Sequence, residues 1–579
     1  MDTQTISTQQ QDERRLHGAA LGAIITALML TLLLEALDQT VVSTALPRII
    51  ATLQGFDRYT WAVTAYTLAS TTMVPIVGKL SDQFGRKWFL VVGIVIFLVG
   101  SALSGASQTM TQFIASRAIQ GLGAGIGIAL AFVVVADMFP PAERVKWQSL
   151  FGVVYGVSNL VGPTLGGWLT DHGPLLGRLV VDTTRWRWVF YINLPIGVIT
   201  LAALLIYLPA NISERSNRHT GWAAARRIDF AGAVLSAAAT ICLLLGLTWG
   251  SAETYAWNSP QVIGILAAAG VLYALFMLAE RFAVEPILPL DLFRNRVYTT
   301  AAALSLVQMM VLVGLIIYLP LFLQGVLGVS AINSGEVITP LTLSSVAGAA
   351  IAGGLVTKFK RYQAVTVAAA VIMTVGVFLL TRITPSTALG QIVVFMIVAG
   401  VGLGVFFSVL TVAGQNALAR ARLGIGTSAL RYLSQLGAVL GVALVGTVVN
   451  NSISTDLAPR LQRIQGASSI PPAVLKVATN PQVLVSSDQR NSLVQGVLQH
   501  VPPAFQQSAL HTFNQIFDAL KQSLSVAVVQ GFIVVLILCI VMVLGTLLLK
   551  DILMKATQDE AGAEAEESEA EQTKAALQP

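Results

Sequence analysis

The stretch GKLSDQFGRK, residues 78–87, decides the fold, because it lies between two apolar runs that are each long enough to cross a bilayer. Its ten positions hold two glycines, one acid and three basic residues. A segment this short cannot form a domain, so we expect a tight hinge loop between two membrane helices. Gly78 and Gly85 permit close approach and tight turning, and Asp82 is suited to face the N-terminus of a helix.

The composition is that of a membrane protein. The 579 residues are 55% hydrophobic and 11% charged, whereas soluble domains carry about 25% charged residues. The net charge of +6 comes from basic residues scattered in short segments between apolar runs. This distribution fits the positive-inside rule rather than a phosphate-binding surface. The sequence therefore predicts an all-α polytopic membrane protein with no nucleic-acid partner.

Apolar runs predict fourteen membrane spans. They lie at about 19–46, 61–80, 88–106, 111–136, 147–169, 187–208, 228–249, 261–281, 298–324, 337–357, 363–382, 390–414, 427–449 and 526–549. Lysine and arginine concentrate in alternate short loops, including residues 78–87. These loops should face the cytoplasm, which places both termini there and makes the chain a multi-pass membrane protein.

The predicted architecture is two six-helix bundles with an extra central helix pair. Residues 353–361 repeat the Gly, Leu, Phe and Arg of residues 78–86 at the same offsets, as parallel six-helix repeats would. The predicted segments are a cytoplasmic tail at 1–17, an N-terminal bundle at 18–210, a linker with two extra helices at 211–296, a C-terminal bundle at 297–555 and a disordered acidic cytoplasmic tail at 556–579. The C-terminal bundle includes an outer loop at 450–525, in which 505–524 is a candidate amphipathic helix.

Two acids lie within one turn of the first predicted span. Glu35 and Asp38 are three residues apart and therefore share a helix face. A charge at the bilayer centre costs about 2.5–3.5 kcal/mol on insertion scales, so the pair indicates function. Because apolar surroundings disfavour the charged form, such a carboxylate can load and release a proton. Glu35 is the candidate for contacting a cation and Asp38 for a structural or proton-handling role; the alternative is a fixed ion pair with a neighbouring helix.

Two arginines are predicted to pair with acids on other helices. Arg117 lies in the outer half of the fourth span, at the depth of Asp38, and Gln120 joins them in a candidate coupling and substrate site. Arg86 needs an acid, and Asp137 at the cytoplasmic end of the fourth span has the right depth. The alternative is that the charges near Arg86 only orient the protein. The candidate cytoplasmic gate consists of Gly78, Asp82, Gly85, Arg86, Lys87 and Asp137.

The fifth span is rich in small residues. Glycines at intervals of four give a smooth face for another helix, and an internal proline bends a helix by removing a backbone hydrogen bond. This face is a candidate rocking contact in a carrier, or simple small-residue packing. Its members are Gly152, Gly156, Gly162, Pro163, Gly166 and Gly167.

These motifs together resemble the drug:proton antiporter-2 family of the major facilitator superfamily, its fourteen-span branch. The similar stretches are 37–47, 78–87, 117–125, 156–167, 186–197 and 318–340. The resemblance implies export of lipophilic, often cationic compounds in exchange for protons, by alternating access in a monomer. It also implies that Asp38 and Arg117 take part in coupling, and that Asp82 and Arg86 take part in the cytoplasmic gate.

The leading hypothesis is therefore a proton-driven multidrug exporter in a bacterial cytoplasmic membrane. The alternatives are an exporter of one dedicated lipid or natural product, and a non-transporting membrane sensor with a carrier fold. No nucleophile elbow, metal cluster or phosphate loop occurs in the sequence, so we expect no enzyme activity, no metal and no cofactor. The expected partners are lipophilic or cationic small molecules, protons and membrane lipids.

Overall fold

The computed structural model describes residues 19–53, 59–139, 141–175, 180–209, 229–251, 255–283, 286–329, 331–359, 361–419, 422–464 and 502–549, with short pieces between 470 and 499. The tails predicted at 1–17 and 556–579 lie outside the described residues, as do residues 211–228 of the predicted linker.

Long α-helices account for nearly all of the described chain. Short helical turns at Asp182–Arg187 and Trp188–Tyr191 precede the sixth long helix. The long helices are α1 (Ala19–Leu53), α2 (Tyr59–Phe84), α3 (Arg86–Ala106), α4 (Met110–Met138), α5 (Pro141–His172), α6 (Asn193–Tyr207), α7 (Phe230–Ser251), α8 (Pro260–Phe282), α9 (Arg296–Gly325), α10 (Ala331–Phe359), α11 (Gln363–Leu380), α12 (Leu389–Asn416), α13 (Leu423–Gln462) and α14 (Pro503–Leu547).

Twelve helices in the described part of the chain are long and apolar enough to cross a membrane. They include α7 and α8, which occupy the positions of the predicted extra pair. Helices α2 and α5 occupy two further predicted spans but are not among the twelve, because polar and charged residues interrupt them. The prediction of an all-helical membrane protein is confirmed; the count of fourteen spans stays a prediction.

The stretch 78–87 is not a loop, and that prediction was wrong. Helix α2 continues to Phe84 and α3 begins at Arg86, which leaves Gly85 as the single non-helical residue between them. Gly85 has a φ of 97°, a conformation that residues with a Cβ rarely adopt. The turn is therefore made by one glycine, and the charged residues on either side of it stand on helices.

The predicted outer loop is largely helical. The helices extend beyond the spans predicted at 427–449 and 526–549, because α13 runs on to Gln462 and α14 already begins at Pro503. The helix predicted at 505–524 is present as the first half of α14. Phe513, Ile516 and Phe517 of that half are buried and pack with residues between 470 and 497 in a small core of their own. Helical periodicity in 450–525 was hidden by the prolines and polar residues.

The described helices fall into two compact units. The first comprises the described residues of Met1–Leu243, Ala267–Tyr298 and Gly414–Tyr432, and the second those of Leu244–Leu266, Thr299–Ala413 and Leu433–Pro579. In the first unit α4 packs between α2 and α3, and α1 packs against α5 and α6. In the second unit α11 packs against α14. The predicted domain boundaries stay predictions.

Glycines set how closely α4 approaches its neighbours. A Cβ on Gly121 would overlap the Tyr66 carbonyl of α2, and a Cβ on Gly125 would overlap the Ser70 carbonyl one turn further along. Small residues allow such backbone approach between membrane helices. Because α4 is held this closely, its buried polar side chains have fixed positions.

The small-residue face of α5 is present in part. A Cβ on Gly162 would overlap the Thr40 hydroxyl of α1, and one on Gly166 would overlap that of Thr44. Gly167 was wrongly included, since an added Cβ there meets nothing within 4 Å. Gly156 is buried, Gly152 is half-buried, and the side chain of Pro163 lies outside the described residues.

The closeness of α2 and α4 can be tested with Gly125→Val. Overpacking costs about 1–3 kcal/mol, so we expect this variant to unfold at a lower temperature in detergent than the parent protein. The matched control is Gly270→Val in α8, where an added Cβ meets nothing within 4 Å. Equal thermal stability of the two variants would contradict the close packing.

Candidate functional site

The first cluster surrounds the carboxylate of Asp38, which is 1% exposed. Arg117 donates from Nη1 to Oδ2 of Asp38 at 2.6 Å, and Gln120 donates from Nε2 to Oδ1 at 2.8 Å. Arg117 also donates to Oε1 of Gln120 at 2.7 Å. The predicted pairing of Asp38 with Arg117 is therefore confirmed, and Gln120 belongs to the same network.

Asn193, at the start of α6, is a member of this cluster that the sequence reasoning missed. Its Nδ2 donates to Oδ1 of Asp38 at 3.3 Å and to Oγ of Ser101 at 3.1 Å. It stands in the stretch 186–197, which contributed only a family resemblance. The carboxylate of Asp38 therefore links α1 to α4 through Arg117 and to α6 through Asn193. Ser101 connects α3 to the same network. We call Asp38, Arg117, Gln120, Asn193 and Ser101 the Asp38 cluster.

Aromatic rings complete the surroundings of Arg117. Its guanidinium carbon lies 4.2 Å from the centroid of the Tyr66 ring and 5.9 Å from that of Phe190. A cation over a ring face is attracted by the ring quadrupole, more strongly when water is excluded. The arginine is 2% exposed, so its charge is balanced inside the protein by one carboxylate, one amide and two rings.

Glu35 lies one turn before Asp38 but outside this network. Its side chain is 3% exposed and lies beside Gly127 of α4, where a Cβ would overlap Oε1. Among the described residues, Oε2 of Glu35 has no hydrogen-bond partner. A buried carboxylate oxygen without a donor is costly when charged. This group is therefore suited to hold a proton or to meet a cation from outside the protein.

The second cluster is built on Arg86, the first residue of α3. Its Nε donates to Oδ2 of Asp137 at 2.9 Å, its Nη1 donates to Oγ of Ser81 at 2.7 Å, and it forms an ion pair with Asp82. The predicted partner Asp137 is confirmed. Asp82 in turn accepts from the backbone N–H of Ile425 at 2.9 Å. We call Ser81, Asp82, Arg86, Asp137 and the Ile425 amide the Arg86 cluster.

Electrostatics explains why Asp82 reaches Ile425. Two carboxylates surround one guanidinium, which leaves an excess of one negative charge. Ile425 lies in the first turn of α13, where unpaired N–H groups carry roughly half a positive charge. The cluster therefore joins the ends of α2, α3, α4 and α13 within the first unit. The sequence indicated a helix N-terminus as the partner of Asp82, but not which helix.

The remaining members of the predicted gate lie around this cluster. A Cβ on Gly78 would overlap the Ser428 side chain of α13, so Gly78 allows the two helices to approach. Gly85 makes the turn described above. Lys87 does not join the cluster; its Nζ donates to the Leu205 carbonyl at 2.8 Å, in the last turn of α6.

Comparison with known proteins shows the family of this helical membrane protein. The sequence profile of the Major Facilitator Superfamily matches residues 28–442. The chain belongs to the major facilitator superfamily. Over 492 residues it is 35% identical to Multidrug resistance protein 3 of Bacillus subtilis (strain 168), with 85% of this chain and 91% of that protein covered. It is also 35% identical over 505 residues to Multidrug transporter protein MdtP of the same strain, with coverage of 85% and 89%.

Solved structures share the fold of this superfamily member. The proton:xylose symporter XylE, solved with 6-bromo-6-deoxy-D-glucose, matches with a TM-score of 0.54 at 15% identity, over 75% of this chain and 90% of that one. At this identity the likeness concerns the fold alone. The superfamily and the two Bacillus relatives are transporters, which are not enzymes.

The energetic role of Arg86 can be tested with Arg86→Gln. Its side chain is 2% exposed, and removing one partner of a buried pair costs about 3–5 kcal/mol because charges remain uncompensated. We expect a clearly lower denaturation temperature in detergent, largely recovered in the triple variant with Asp82→Asn and Asp137→Asn.

The matched control for Arg86→Gln is Arg422→Gln, which breaks an ion pair with Asp291 whose side chains are 49% and 45% exposed. Exposed pairs contribute about 0–1 kcal/mol, so this variant should denature close to the parent temperature. If Arg422→Gln destabilises as much as Arg86→Gln, the buried cluster has no special role in stability.

Proposed function

We propose that this protein is a proton-coupled antiporter that exports lipophilic, often cationic drugs by alternating access. The observation that carries the proposal is the pairing of Asp38 with Arg117 inside α1 and α4, one turn from Glu35 with its unpartnered oxygen. Two acids side by side in a membrane helix supply a proton site and a cation site. The names of the two Bacillus relatives support drugs as the substrate class.

Protonation of Asp38 would change the contacts between helices. As a carboxylate, Asp38 accepts from Arg117, Gln120 and Asn193. A proton removes the charge that balances Arg117 and turns one acceptor oxygen into a donor. The link from α1 to α4 and α6 then weakens, so the proton acts on the packing of three helices at once. This is a way for proton binding to bias a conformational equilibrium.

Glu35 and Asp38 couple substrate to proton through repulsion. Side chains three residues apart on a helix lie about 6 Å from each other. Two negative charges at that distance repel by about 2–3 kcal/mol at an effective dielectric constant of about 20. A cation at Glu35 relieves this repulsion and favours release of a proton from Asp38, whereas departure of the cation favours reloading. The protein thereby exchanges a cationic substrate for a proton.

The Arg86 cluster is the proposed cytoplasmic gate. Asp82 ties α2 to the first turn of α13 through the Ile425 amide, and Arg86 ties both to Asp137 at the end of α4. Opening a path on this side requires these contacts to separate. The excess negative charge of the cluster opposes separation, because it is attracted to the positive N-terminal end of the α13 dipole.

The remaining proposed features follow from the drug:proton antiporter-2 resemblance and from the helix pattern. The protein has fourteen spans, with α2 and α5 added to the twelve apolar helices and α7 and α8 as the extra pair. It functions as a monomer among the lipids of a bacterial cytoplasmic membrane, with both termini in the cytoplasm. The proton gradient drives transport without a cofactor.

The proton-handling role predicts the behaviour of Asp38→Asn in inside-out vesicles with an imposed pH gradient. Asparagine keeps the shape of the side chain but cannot carry the proton. Efflux should fall to the level of vesicles without the protein, while gel filtration shows an intact, monodisperse variant. Asp171→Asn is the control, because Asp171 is 56% exposed in a surface pair with Arg48 and should leave efflux near the parent rate. Normal gradient-driven efflux by folded Asp38→Asn would refute the coupling role.

The role of Glu35 predicts selectivity in Glu35→Gln. Because the variant has no negative charge to offer a cationic substrate, transport of such a substrate should fall by about tenfold. A neutral lipophile does not depend on that charge and should be transported near the parent rate. The measurement compares the transport rates of a permanent cation and an uncharged dye of similar size in the same vesicles. An equal decrease for both compounds would count against direct binding of the cation by Glu35.

A further inference from the structure

Helices α7 and α8 contribute no residue to the Asp38 cluster or the Arg86 cluster, yet both bind the start of α13. Thr240 of α7 and Tyr273 of α8 meet Tyr432 of α13 within the first unit. The hydroxyl oxygen of Tyr432 lies 2.6 Å from that of Thr240 and 2.5 Å from that of Tyr273. Thr240 is 1% exposed and Tyr432 is 6% exposed. We call these three residues the hydroxyl triad.

The protons of the hydroxyl triad can be assigned. Thr240 donates to the backbone carbonyl of Ser236 at 2.7 Å, so its oxygen acts as an acceptor within the triad. Each hydroxyl has one proton to donate. Both short contacts are therefore hydrogen bonds only when Tyr273 donates to Tyr432 and Tyr432 donates to Thr240. The bonds then run in one direction from α8 through α13 to α7, and hydrogen bonds in such a chain strengthen one another.

Apolar packing supports the triad one turn nearer the start of α13. Ala429 of α13 forms a buried cluster with Phe276 of α8 and with Leu288, and Leu235 of α7 packs against this cluster. Ala429 and Tyr432 are three residues apart and therefore share a face of the helix. Helices α7 and α8 thus hold one face of α13 by both apolar and polar contacts.

The chain that follows α8 is fixed to the same region. Both carboxylate oxygens of Glu280, near the end of α8, accept backbone N–H groups, one from Ile287 and one from Leu288, each at 3.2 Å. Further along the chain, Tyr298 of α9 donates from its hydroxyl to the Gly426 carbonyl of α13 at 2.8 Å. Residues 426–432 are therefore bound at one end by Tyr298 and at the other by the hydroxyl triad.

The same turns of α13 carry the gate contact. Ile425, whose N–H donates to Asp82, precedes Tyr432 by seven residues, which is about 10.5 Å along a helix axis. A Cβ on the neighbouring Gly424 would overlap the side chains of Asp82 and Arg86. The first four N–H groups of an α-helix have no acceptor inside the helix, so Asp82 supplies the acceptor for Ile425. The position of α13 therefore decides whether this bond can form.

We propose, on the basis of the cytoplasmic gate described above, that α7 and α8 are the positioning element of that gate. The hydroxyl triad holds the start of α13 where the Ile425 N–H meets Asp82. The helix is thus bound by α2 through Asp82 and by α7 and α8 through the triad. Thr240, Tyr273 and Tyr432 are positioning residues that favour the closed arrangement of the gate.

The test is hydrogen exchange of the Ile425 amide, resolved to single residues by mass spectrometry, in the purified full-length protein in lipid nanodiscs. Exchange of a bonded amide reports how often its bond opens. Tyr432→Phe keeps the ring and removes the hydroxyl that joins α13 to α7 and α8. We expect exchange at Ile425 to become about fivefold faster, as for the loss of one net hydrogen bond, while amides in the middle of α4 exchange at the parent rate.

A second variant leaves α13 unchanged. The double substitution Tyr273→Phe and Thr240→Val removes both partners of Tyr432 and should accelerate exchange at Ile425 by at least as much. The matched control is Ser236→Ala, because Ser236 is a buried hydroxyl of α7 that donates to the Ala233 carbonyl within its own helix at 3.1 Å. It should leave exchange at Ile425 at the parent rate.

Each outcome decides the proposal. Faster exchange at Ile425 in both triad variants, with α4 and the Ser236→Ala control unchanged, supports it. Unchanged exchange at Ile425 in either folded variant overturns it, as does an equal acceleration in α4, which would show that the triad only stabilises the fold. If Tyr432→Phe does not fold, the double variant decides alone. Gradient-driven efflux by the parent protein is measured separately in vesicles, and its absence would refute the export function while the exchange data still decide the positioning role.

Discussion

The cost of holding charge away from water governs this molecule. A carboxylate among apolar helices is stable only where donors reach it, and Asp38 has three of them, on α4 and α6. Those donors have to be held in place, and the glycines of α4 do so by bringing α2 close enough for the Tyr66 ring to cover Arg117. Packing and charge therefore depend on each other. Without the close approach of α2 and α4, water would reach the ion pair of Asp38 and Arg117; without that ion pair, the helices would enclose an unbalanced charge.

The two charged clusters solve the same problem in different ways. The Asp38 cluster matches one acid with one guanidinium and completes the balance with neutral amides and a hydroxyl. The Arg86 cluster has two acids for one guanidinium and completes the balance with the dipole of α13. The first is closed within α1, α3, α4 and α6. The second depends on a helix far along the chain, so movement of that helix disturbs it.

The sequence predicted what depends on composition and depth. It placed the helices, the pairing of Asp38 with Arg117 and the pairing of Arg86 with Asp137, because a charge in an apolar run needs an opposite charge at the same level. It did not predict Asn193 or Ile425 as members of the sites, since the aspartates that they contact lie 155 and 343 residues away in the chain and no local pattern marks them. It also mistook residues 78–87 for a loop, because a single glycine with a positive φ can replace several loop residues. The extension of α13 and α14 was missed because polar residues and prolines interrupt the apolar pattern there, although Pro459 lies inside α13 and Pro503 begins α14.

The single residue between α2 and α3 has a mechanical consequence. A joint of one residue has two rotatable backbone bonds and no slack, so the angle between the helices is set by two torsions at Gly85. Asp82 and Arg86 lie on either side of that joint and clasp each other across it. This ion pair spans the joint, so a rotation about either backbone torsion of Gly85 has to stretch or break it.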